Sequence, residues 1–375
     1  MDNITTSKEE LQNFLNDLYS TNYSYDNESY DDCCDGGDVC DLSTGVHFGA
    51  IFIPILYSVA FVVGVLGNGL LLLVLVKSRK AWSVTDTFIL HLSVADVLLL
   101  VTLPLWAAQA SQVDGWTFGT PLCKITGAVF MINFYCGIFL LACISLDRYL
   151  SIVHATQMYS RRNPWVVRFS CLAVWLFSLL LSIPDLIFFE AVRDDRQRKT
   201  ECIRNYFRFD ALSVPKWRMA SRLLYHTVGF MLPSAVLVFC YSCILLQLRC
   251  GSQGHQKQKA VRVIVALVLV FFLCWTPYNI TLVVDTLQLN SYSNNCEINI
   301  SLNKAMITTS SLGYLHCSLN PILYAFVGVK FRRQLLDILR YLGCKLKTSA
   351  KLHSASSHRR SSYWSETADS HSVAI

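Results

Sequence analysis

Seven long apolar stretches constrain the fold of this chain more than any other feature of its sequence. Each is long enough to cross the hydrocarbon core of a bilayer, which takes about 20 helical residues. A mean hydropathy of +0.39 and a charged share of only 15% also separate the chain from soluble globular proteins. The sequence therefore predicts an all-α membrane protein, built as a bundle of seven transmembrane helices. The stretches lie near residues 48–76, 84–110, 120–153, 164–189, 219–248, 260–289 and 302–327.

The distribution of basic residues gives the bundle an orientation. Lys and Arg are concentrated in the short segments that follow the first, third and fifth stretches, and such segments stay on the cytoplasmic side. The segment 190–218 also holds eight basic residues, but it is long, and the rule has little force for long loops. We therefore expect a multi-pass protein of the plasma membrane with its N-terminus outside the cell and its C-terminus inside.

The two ends of the chain differ in charge. Residues 1–47 carry eleven acidic residues and one lysine, whereas residues 328–375 carry nine basic and three acidic residues. The first segment has no basic start followed by an apolar core, so we expect no cleaved signal peptide and insertion through the first span. Glycosylation sequons in this segment begin at Asn3, Asn22 and Asn27.

The chain divides into four predicted regions. An extracellular acidic segment, 1–47, precedes the seven-helix transmembrane domain, 48–327. Residues 328–344 are amphipathic and predict a short eighth helix on the inner membrane surface, with Cys344 as a palmitoylation candidate. Residues 345–375 form a cytoplasmic tail rich in Ser and Thr, and phosphorylation would reverse its local charge.

Six of the fifteen cysteines fall on the outer side, where the environment is oxidising. A bridge between Cys123 and Cys202 would pin the long outer loop over the mouth of the bundle. A bridge between Cys40 and Cys296 would tie the N-terminal segment to the last span. The sequence leaves the partners of the other two, Cys33 and Cys34, open. The cysteines inside the membrane show no metal-ligand spacing, so we expect no metal site among them.

Five polar side chains lie at bilayer depth, where an unpaired polar group is costly. They are Asn68, Asp96, Asn133, His316 and Asn320. These groups could converge on a small hydrated cavity that holds a sodium ion, or form a water-filled hydrogen-bond network that stabilises the bundle. We favour the network, with a sodium ion near Asp96 as an optional occupant and no other cofactor.

Three motifs towards the inner ends of the spans are more specific. The third span closes with Asp147-Arg148-Tyr149, and the sixth contains Cys274-Trp275-Thr276-Pro277-Tyr278. The seventh contains Asn320-Pro321-Ile322-Leu323-Tyr324. In this order, and with the pair Cys123 and Cys202, the motifs resemble those of the rhodopsin-like G-protein-coupled receptors across residues 48–345.

A narrower resemblance is carried by the run from Thr102 to Trp106, by the run from Asp147 to Ala155 and by the acidic, tyrosine-containing N-terminal segment. In these features, and in the extra Cys40 and Cys296, the chain is similar to the chemokine receptors of the CXC class. The resemblance implies a receptor for a basic CXC chemokine that couples to a heterotrimeric G protein of the Gi class and directs leukocyte chemotaxis. It also implies a receptor kinase and arrestin at the tail and membrane lipid around the bundle, with no enzymatic activity and no nucleic-acid partner.

The resemblance further implies that the ligand is recognised in two steps. The acidic N-terminal segment would attract the basic ligand, with Tyr25 and Tyr30 as candidates for sulfation. The flexible N-terminus of the ligand would then enter the bundle, where Asp185 and Asp285 would receive an ammonium or guanidinium group. Many relatives have an acid near the position of Ser310, and this chain has none there. The candidate wall residues are Trp106, Phe130, Phe134, Asp185, Tyr278, Asp285, Ser310 and Tyr314.

The signal would pass from Trp275, at the Pro277 kink, to the inner side of the bundle. In many relatives an acid at the foot of the sixth span holds the arginine of the third-span motif, but Lys257 stands in that segment here. We therefore expect Arg148 to pair locally with Asp147 and the resting state to be weakly restrained. The candidate switch residues are Asp147, Arg148, Tyr149, Tyr241, Trp275, Pro277, Asn320, Pro321 and Tyr324.

Other functions remain as alternatives to a signalling receptor. A scavenging receptor would bind chemokine without activating a G protein, and the intact motifs of the third and seventh spans disfavour it. A transporter or channel would need inverted repeats or several charged midplane residues, which the sequence lacks. An intramembrane enzyme would need a nucleophile and base, or metal ligands, at suitable spacing, and none is present.

Overall fold

The computed structural model describes residues 43–77, 82–153, 164–194, 198–208, 213–250, 255–290, 296–327 and Phe331. These residues belong to one compact unit, Leu42–Ile375. Predictions that concern residues 1–42 and the tail from 332 onwards lie outside the described residues. Of the predicted eighth helix, only Phe331 is described, and its side chain packs against the main core.

The described residues form a bundle of helical spans. Six segments are long and apolar enough to cross a membrane: Gly49–Lys77, Val84–Ser111, Gly119–Ile152, Trp165–Phe188, Val214–Leu248 and Val261–Gln288. A seventh helix, Cys296–Val327, packs against the first and the sixth. The sixth and seventh helices continue without a break through Pro277 and Pro321, as expected for a bundle in which neighbouring helices satisfy the carbonyls that proline leaves without a donor. The predicted seven-helix membrane bundle is thus the architecture of the described chain.

Proline divides the second and fourth spans into two helices each. The second runs over Val84–Leu100 and restarts at Leu103–Ser111, while the fourth runs over Pro164–Leu181 and restarts at Ile183–Phe188. Both short helices have their proline, Pro104 or Pro184, in the first turn. A proline there has no N–H that a helix would need, so it starts a helix more readily than it continues one.

The fifth span differs from its prediction at the outer end. It begins five residues earlier, with the polar helix Val214–Leu224, and passes through a π-helical segment, Tyr225–Met231, into Leu232–Cys250. The hydropathy prediction missed the first five residues of this helix, which include Lys216 and Arg218. This extension places basic side chains at the outer end of the bundle.

A β-hairpin covers the outer end of the bundle, and the sequence did not predict it. Strand β1, Phe189–Asp194, pairs antiparallel with strand β2, Lys199–Arg204. Cys202 in β2 is disulfide-bonded to Cys123 in the third span, with 5.5 Å between their Cα atoms. The hairpin is thereby tied to the outer end of the third span, as the first predicted bridge required.

The loop before the third span also holds this hairpin. The N–H of Trp116 donates to the Thr200 carbonyl at 2.7 Å, and the N–H of Thr200 donates to the Asp114 carbonyl at 3.0 Å. Gly115 has a φ of 72°, and a Cβ there would lie 2.2 Å from the Thr200 oxygen. Only glycine fits this close approach, so the hairpin has a second, non-covalent attachment.

Candidate ligand cavity and polar core

A cavity of about 840 Å³ lies beneath the hairpin. Its walls come from the first, second, third, fifth, sixth and seventh spans, from the Ile183–Phe188 helix and from both strands. Seven of the eight predicted wall residues line it: Trp106, Phe130, Asp185, Tyr278, Asp285, Ser310 and Tyr314. The sequence prediction had therefore located most of the wall.

The eighth predicted wall residue, Phe134, does not line the cavity. Its side chain is fully buried one helical turn further in. The Phe134 ring packs against Trp275 and against Tyr225, each with a centroid separation of 4.7 Å. Phe134 therefore supports the bottom of the cavity from beneath.

Aromatic rings form the bottom of the cavity. Phe130 lies 4.7 Å from Tyr314 and 5.4 Å from Trp275, measured between ring centroids. Tyr57 packs on Tyr314 at 4.9 Å and is hydrogen-bonded to the Ser311 hydroxyl at 3.1 Å. Trp275 itself is 0% exposed. A displacement of Phe130 by a ligand would thus act directly on a buried ring of the sixth span.

Asp185 is already paired within the chain. Arg204, the last residue of β2, donates from Nε to Asp185 Oδ1 at 2.7 Å, and its guanidinium lies 4.9 Å from the centre of the Phe189 ring. Burial alone would lower the pKa of Arg204, but the charge and hydrogen bond of Asp185, together with Tyr278 and Tyr206, raise that pKa well above its ordinary value. Arg204 therefore stays charged.

Asp285 is also paired within the chain. Arg222, on the polar helix of the fifth span, donates to the Asp285 carboxylate and, at 2.5 Å, to the Thr286 hydroxyl. We had expected Asp185 and Asp285 to receive a cation of the ligand, whereas each already holds an arginine of its own chain. The Ser310 hydroxyl donates to the Ile307 carbonyl of its own helix at 3.1 Å.

Neither arginine was predicted from the sequence as a cavity residue. Arg204 is one of the eight basic residues of segment 190–218, and Arg222 lies in the polar helix Val214–Leu224. Their partners are distant in sequence, so neither pairing follows from spacing. The predicted disulfide could have located Arg204, because this residue follows Cys202 by two positions and must therefore lie near the third span.

The polar side chains at bilayer depth do converge. Asp96 accepts hydrogen bonds from Asn133 at 3.0 Å and from Asn320 at 2.8 Å. Asn68 donates to the Cys317 carbonyl at 2.9 Å, which joins the first span to the seventh. Asp96, Asn68 and Asn320 are each no more than 1% exposed. Direct hydrogen bonds thus join Asp96, Asn133 and Asn320 of the second, third and seventh spans.

Several buried polar atoms of this network have no protein partner within the described ranges: Asn68 Oδ1, Asn320 Oδ1, the Tyr324 hydroxyl and both ring nitrogens of His316. Buried polar groups are normally satisfied by protein or by ordered water. The amide and carboxylate oxygens are the ligand type that a hard cation prefers. Donor atoms of Asp96, His316 and Cys317 also lie within 4.8 Å of one another. The donor set therefore fits water or a small cation.

Four of the predicted switch residues lie at the inner end of the bundle: Asp147, Arg148, Tyr149 and Tyr241. Arg148 pairs with Asp147 at 3.2 Å, as expected, and also donates to the Thr85 hydroxyl at the start of the second span. Ser145 donates to the Tyr241 hydroxyl at 2.8 Å. The Tyr149 ring packs on Phe239 with centroids 5.6 Å apart. The side chain of Lys257 lies outside the described residues.

Comparison with known proteins agrees with this architecture. The family model of the "7 transmembrane receptor (rhodopsin family)" matches residues 67–324. The chain is 46% identical to C-X-C chemokine receptor type 3 of Homo sapiens over 352 residues, which cover 94% of this chain and 92% of that receptor. It is 43% identical to C-X-C chemokine receptor type 2 of Oryctolagus cuniculus, over 90% of this chain and 91% of that one. The chain belongs to the C-X-C chemokine receptors of the rhodopsin family.

Membership of this receptor family confirms several sequence predictions. The chain is a multi-pass membrane receptor rather than an enzyme, and its Cys123–Cys202 disulfide is formed. Other predictions fall outside the described residues, so they stay predictions. They are glycosylation at Asn3, Asn22 and Asn27, sulfation at Tyr25 and Tyr30, the Cys40–Cys296 disulfide, and palmitoylation at Cys344.

Proposed function

We propose that this C-X-C chemokine receptor is activated by basic C-X-C chemokines, signals through Gi proteins and directs leukocyte chemotaxis. The observation that carries the proposal is the similarity to C-X-C chemokine receptors over nine-tenths of the chain, 46% identity across 94% of it for the human type 3 receptor. The cavity under the hairpin is large enough for several residues of a peptide, which supports entry of a ligand segment.

The route of the signal follows from the contacts of the cavity floor. A ligand segment that presses on Phe130 would displace Trp275, which lies in the sixth span two residues before Pro277. Trp275 also lies 6.5 Å from His316 of the polar core, measured between ring centroids. Movement at this point would reach the inner pairs of Arg148 with Asp147 and of Tyr241 with Ser145.

The N-terminal segment would supply the first encounter. Its eleven acidic residues against one lysine would attract a basic ligand and raise the association rate, and sulfation of Tyr25 and Tyr30 would add charge. At the opposite end, phosphorylation of the Ser/Thr-rich tail by a receptor kinase would create an acidic docking strand for arrestin.

The test is a panel of purified C-X-C chemokines applied to cells that express the full chain. We expect at least one to inhibit cAMP formation, and we expect a chain without residues 1–30 to need more of it. Arg148→Ala is the matched control, since it leaves the cavity intact and should bind ligand without signalling. Activation by no member of the panel would refute the proposal. Uptake of chemokine without any G-protein response would instead favour a scavenging receptor.

We also propose that a sodium ion occupies the polar core as an optional ligand. The support is the convergence of the Asp96 carboxylate with the unpartnered oxygens of Asn68 and Asn320. A monovalent cation there would offset the charge of a carboxylate held at bilayer depth.

A further inference from the structure

We propose that Arg204 recognises the ligand segment that enters the cavity, by donating hydrogen bonds to oxygen acceptors of that segment. The inference rests on the proposed chemokine function and deepens it. It reverses the charge expected from the sequence, because the cavity then offers the ligand a fixed donor, while Asp185 and Asp285 are paired with arginines of the chain.

The position of Arg204 is fixed from three sides. Its backbone ends strand β2 two residues after Cys202, which is bonded to the third span. Its guanidinium lies over the Phe189 ring of the opposite strand, 4.9 Å from the centroid. Its Nε donates to Asp185 at 2.7 Å. A side chain held in this way loses little conformational freedom when a ligand binds.

Most of the donor capacity of Arg204 is still available. A guanidinium carries five N–H groups, and the bond to Asp185 uses the one on Nε. Among the described residues, no other hydrogen bond of Arg204 occurs. The Arg204 side chain is 27% exposed and lines the cavity. The four N–H groups of its two Nη atoms can therefore meet ligand oxygens.

The acids of the cavity are in the opposite situation. Three acidic residues line it, and two of them, Asp185 and Asp285, already hold Arg204 and Arg222. The Asp185 side chain is only 9% exposed. Four basic residues line the same cavity, namely Lys199, Arg204, Arg218 and Arg222. An ammonium group of a ligand would have to displace an arginine to reach either paired carboxylate.

Trp106 supplies a second donor in the wall of the same cavity. The indole N–H of Trp106 is buried and has no acceptor among the described residues, and its ring lies 6.5 Å from Phe189, the residue under Arg204. Two donors that both contact the same ring suit a main-chain carbonyl or a carboxylate. Asp185 then acts as a positioning residue for Arg204, and the ligand does not need its charge.

The decisive experiment compares Arg204→Gln with Asp185→Asn, using the most potent C-X-C chemokine of the panel and matched surface density of the full chain. Loss of a charge-assisted hydrogen bond predicts that Arg204→Gln raises the EC50 for G-protein activation by roughly 10- to 100-fold. Arg204→Lys should raise the EC50 less, because it keeps the charge without the planar fork. Asp185→Asn keeps an oxygen that can accept from Nε but loses the charge that pairs with Arg204, so its EC50 should rise clearly less than that of Arg204→Gln.

Two controls separate recognition from folding. Arg193→Gln removes the same charge from an exposed position of the same hairpin that does not line the cavity, and should leave the EC50 unchanged. A chemokine that lacks its N-terminal segment should bind Arg204→Gln and the wild type equally, because it does not reach the cavity. The inference is overturned if Arg204→Gln behaves like Arg193→Gln. It is equally overturned if Asp185→Asn loses as much potency as Arg204→Gln.

The same assay distinguishes the two sources of the acceptor. In a modified chemokine, every carboxylate of the N-terminal segment is replaced by an amide. A carboxylate acceptor predicts that this ligand is weaker on the wild type and no longer sensitive to Arg204→Gln. A main-chain carbonyl predicts that the sensitivity to Arg204→Gln is unchanged. If the wild type responds to no chemokine, the proposed function fails first, and this inference fails with it.

Discussion

Gly127 of the third span lies against the Phe189 ring of the hairpin, and Gly127→Ala is a direct test of that packing. A Cβ at this position would lie between 2.5 and 2.6 Å from three atoms of the Phe189 ring, whereas ordinary contacts begin at 3.4 Å. The ring cannot withdraw easily, because it is buried in a cluster with Trp116, Cys123 and Cys202. The third span and strand β1 would therefore have to separate by about 1 Å.

Overpacking of this kind typically costs about 1–3 kcal/mol. For a domain of this size, such a loss corresponds to a fall in the unfolding midpoint of roughly 2–10 °C. The control is Gly69→Ala in the first span, where nothing lies within 4 Å of the added Cβ. That variant should match or slightly exceed the wild type, since Ala is favoured over Gly in a helix by up to about 1 kcal/mol. The assay follows purified receptor in detergent through stepwise heating and measures the monodisperse fraction.

Gly127→Ala should also weaken signalling. Arg204 lies over the ring that Gly127→Ala would displace, so the EC50 for the activating chemokine should rise at matched surface density. An unfolding midpoint for Gly127→Ala equal to that of Gly69→Ala would show that the hairpin yields freely. The account of a hairpin held rigidly against the third span would then be wrong.

Three further predictions concern the remaining parts of the molecule. Lys257→Glu should lower basal G-protein turnover by giving Arg148 an acid across the bundle, and an unchanged basal rate would count against a weakly restrained resting state. Sodium chloride, compared with choline chloride, should raise the unfolding midpoint of the wild type by binding only the folded state, and Asp96→Asn should abolish the difference. Replacing both Cys123 and Cys202 by Ser opens a loop with a sequence separation of 79 residues. Its closure is worth about 4–5 kcal/mol in the chain-entropy model, so we expect surface expression to fall sharply; normal expression of a functional receptor would contradict this.

The spans were predictable because each is encoded locally by an unbroken apolar run. Their ends were less so. The fifth span starts at Val214 because basic side chains there find Asp285 and the ring of Tyr206, contacts that a hydropathy scale cannot include. The seventh helix begins at Cys296, before the predicted 302, for the related reason that its first turns are polar. The breaks before Pro104 and Pro184 follow from proline itself, although the sequence alone allowed a kink as well as a break.

The polar core was predictable from the sequence, whereas the ion pairs of the cavity were not. Asp96, Asn133 and Asn320 were recognisable because a polar residue at bilayer depth needs a partner, and partners of this type were few. The partners of Asp185 and Asp285 were not recognisable, because both acids line the cavity and several basic residues on the outer side could have paired with them. Their pairing depends on how the hairpin and the fifth span fold over the bundle. Such non-local geometry has no signature in residue spacing.

The third span has a consequence for how this receptor can be studied. It is one continuous helix of 34 residues, about 50 Å long at 1.5 Å per residue, and buried over most of its length. Phe130 and Arg148 stand about five turns apart on it and so face the same side. Spectroscopic labels placed at its two ends should keep their separation whether or not ligand is bound. This helix is therefore the internal reference frame against which displacement of the fifth, sixth and seventh spans is best measured.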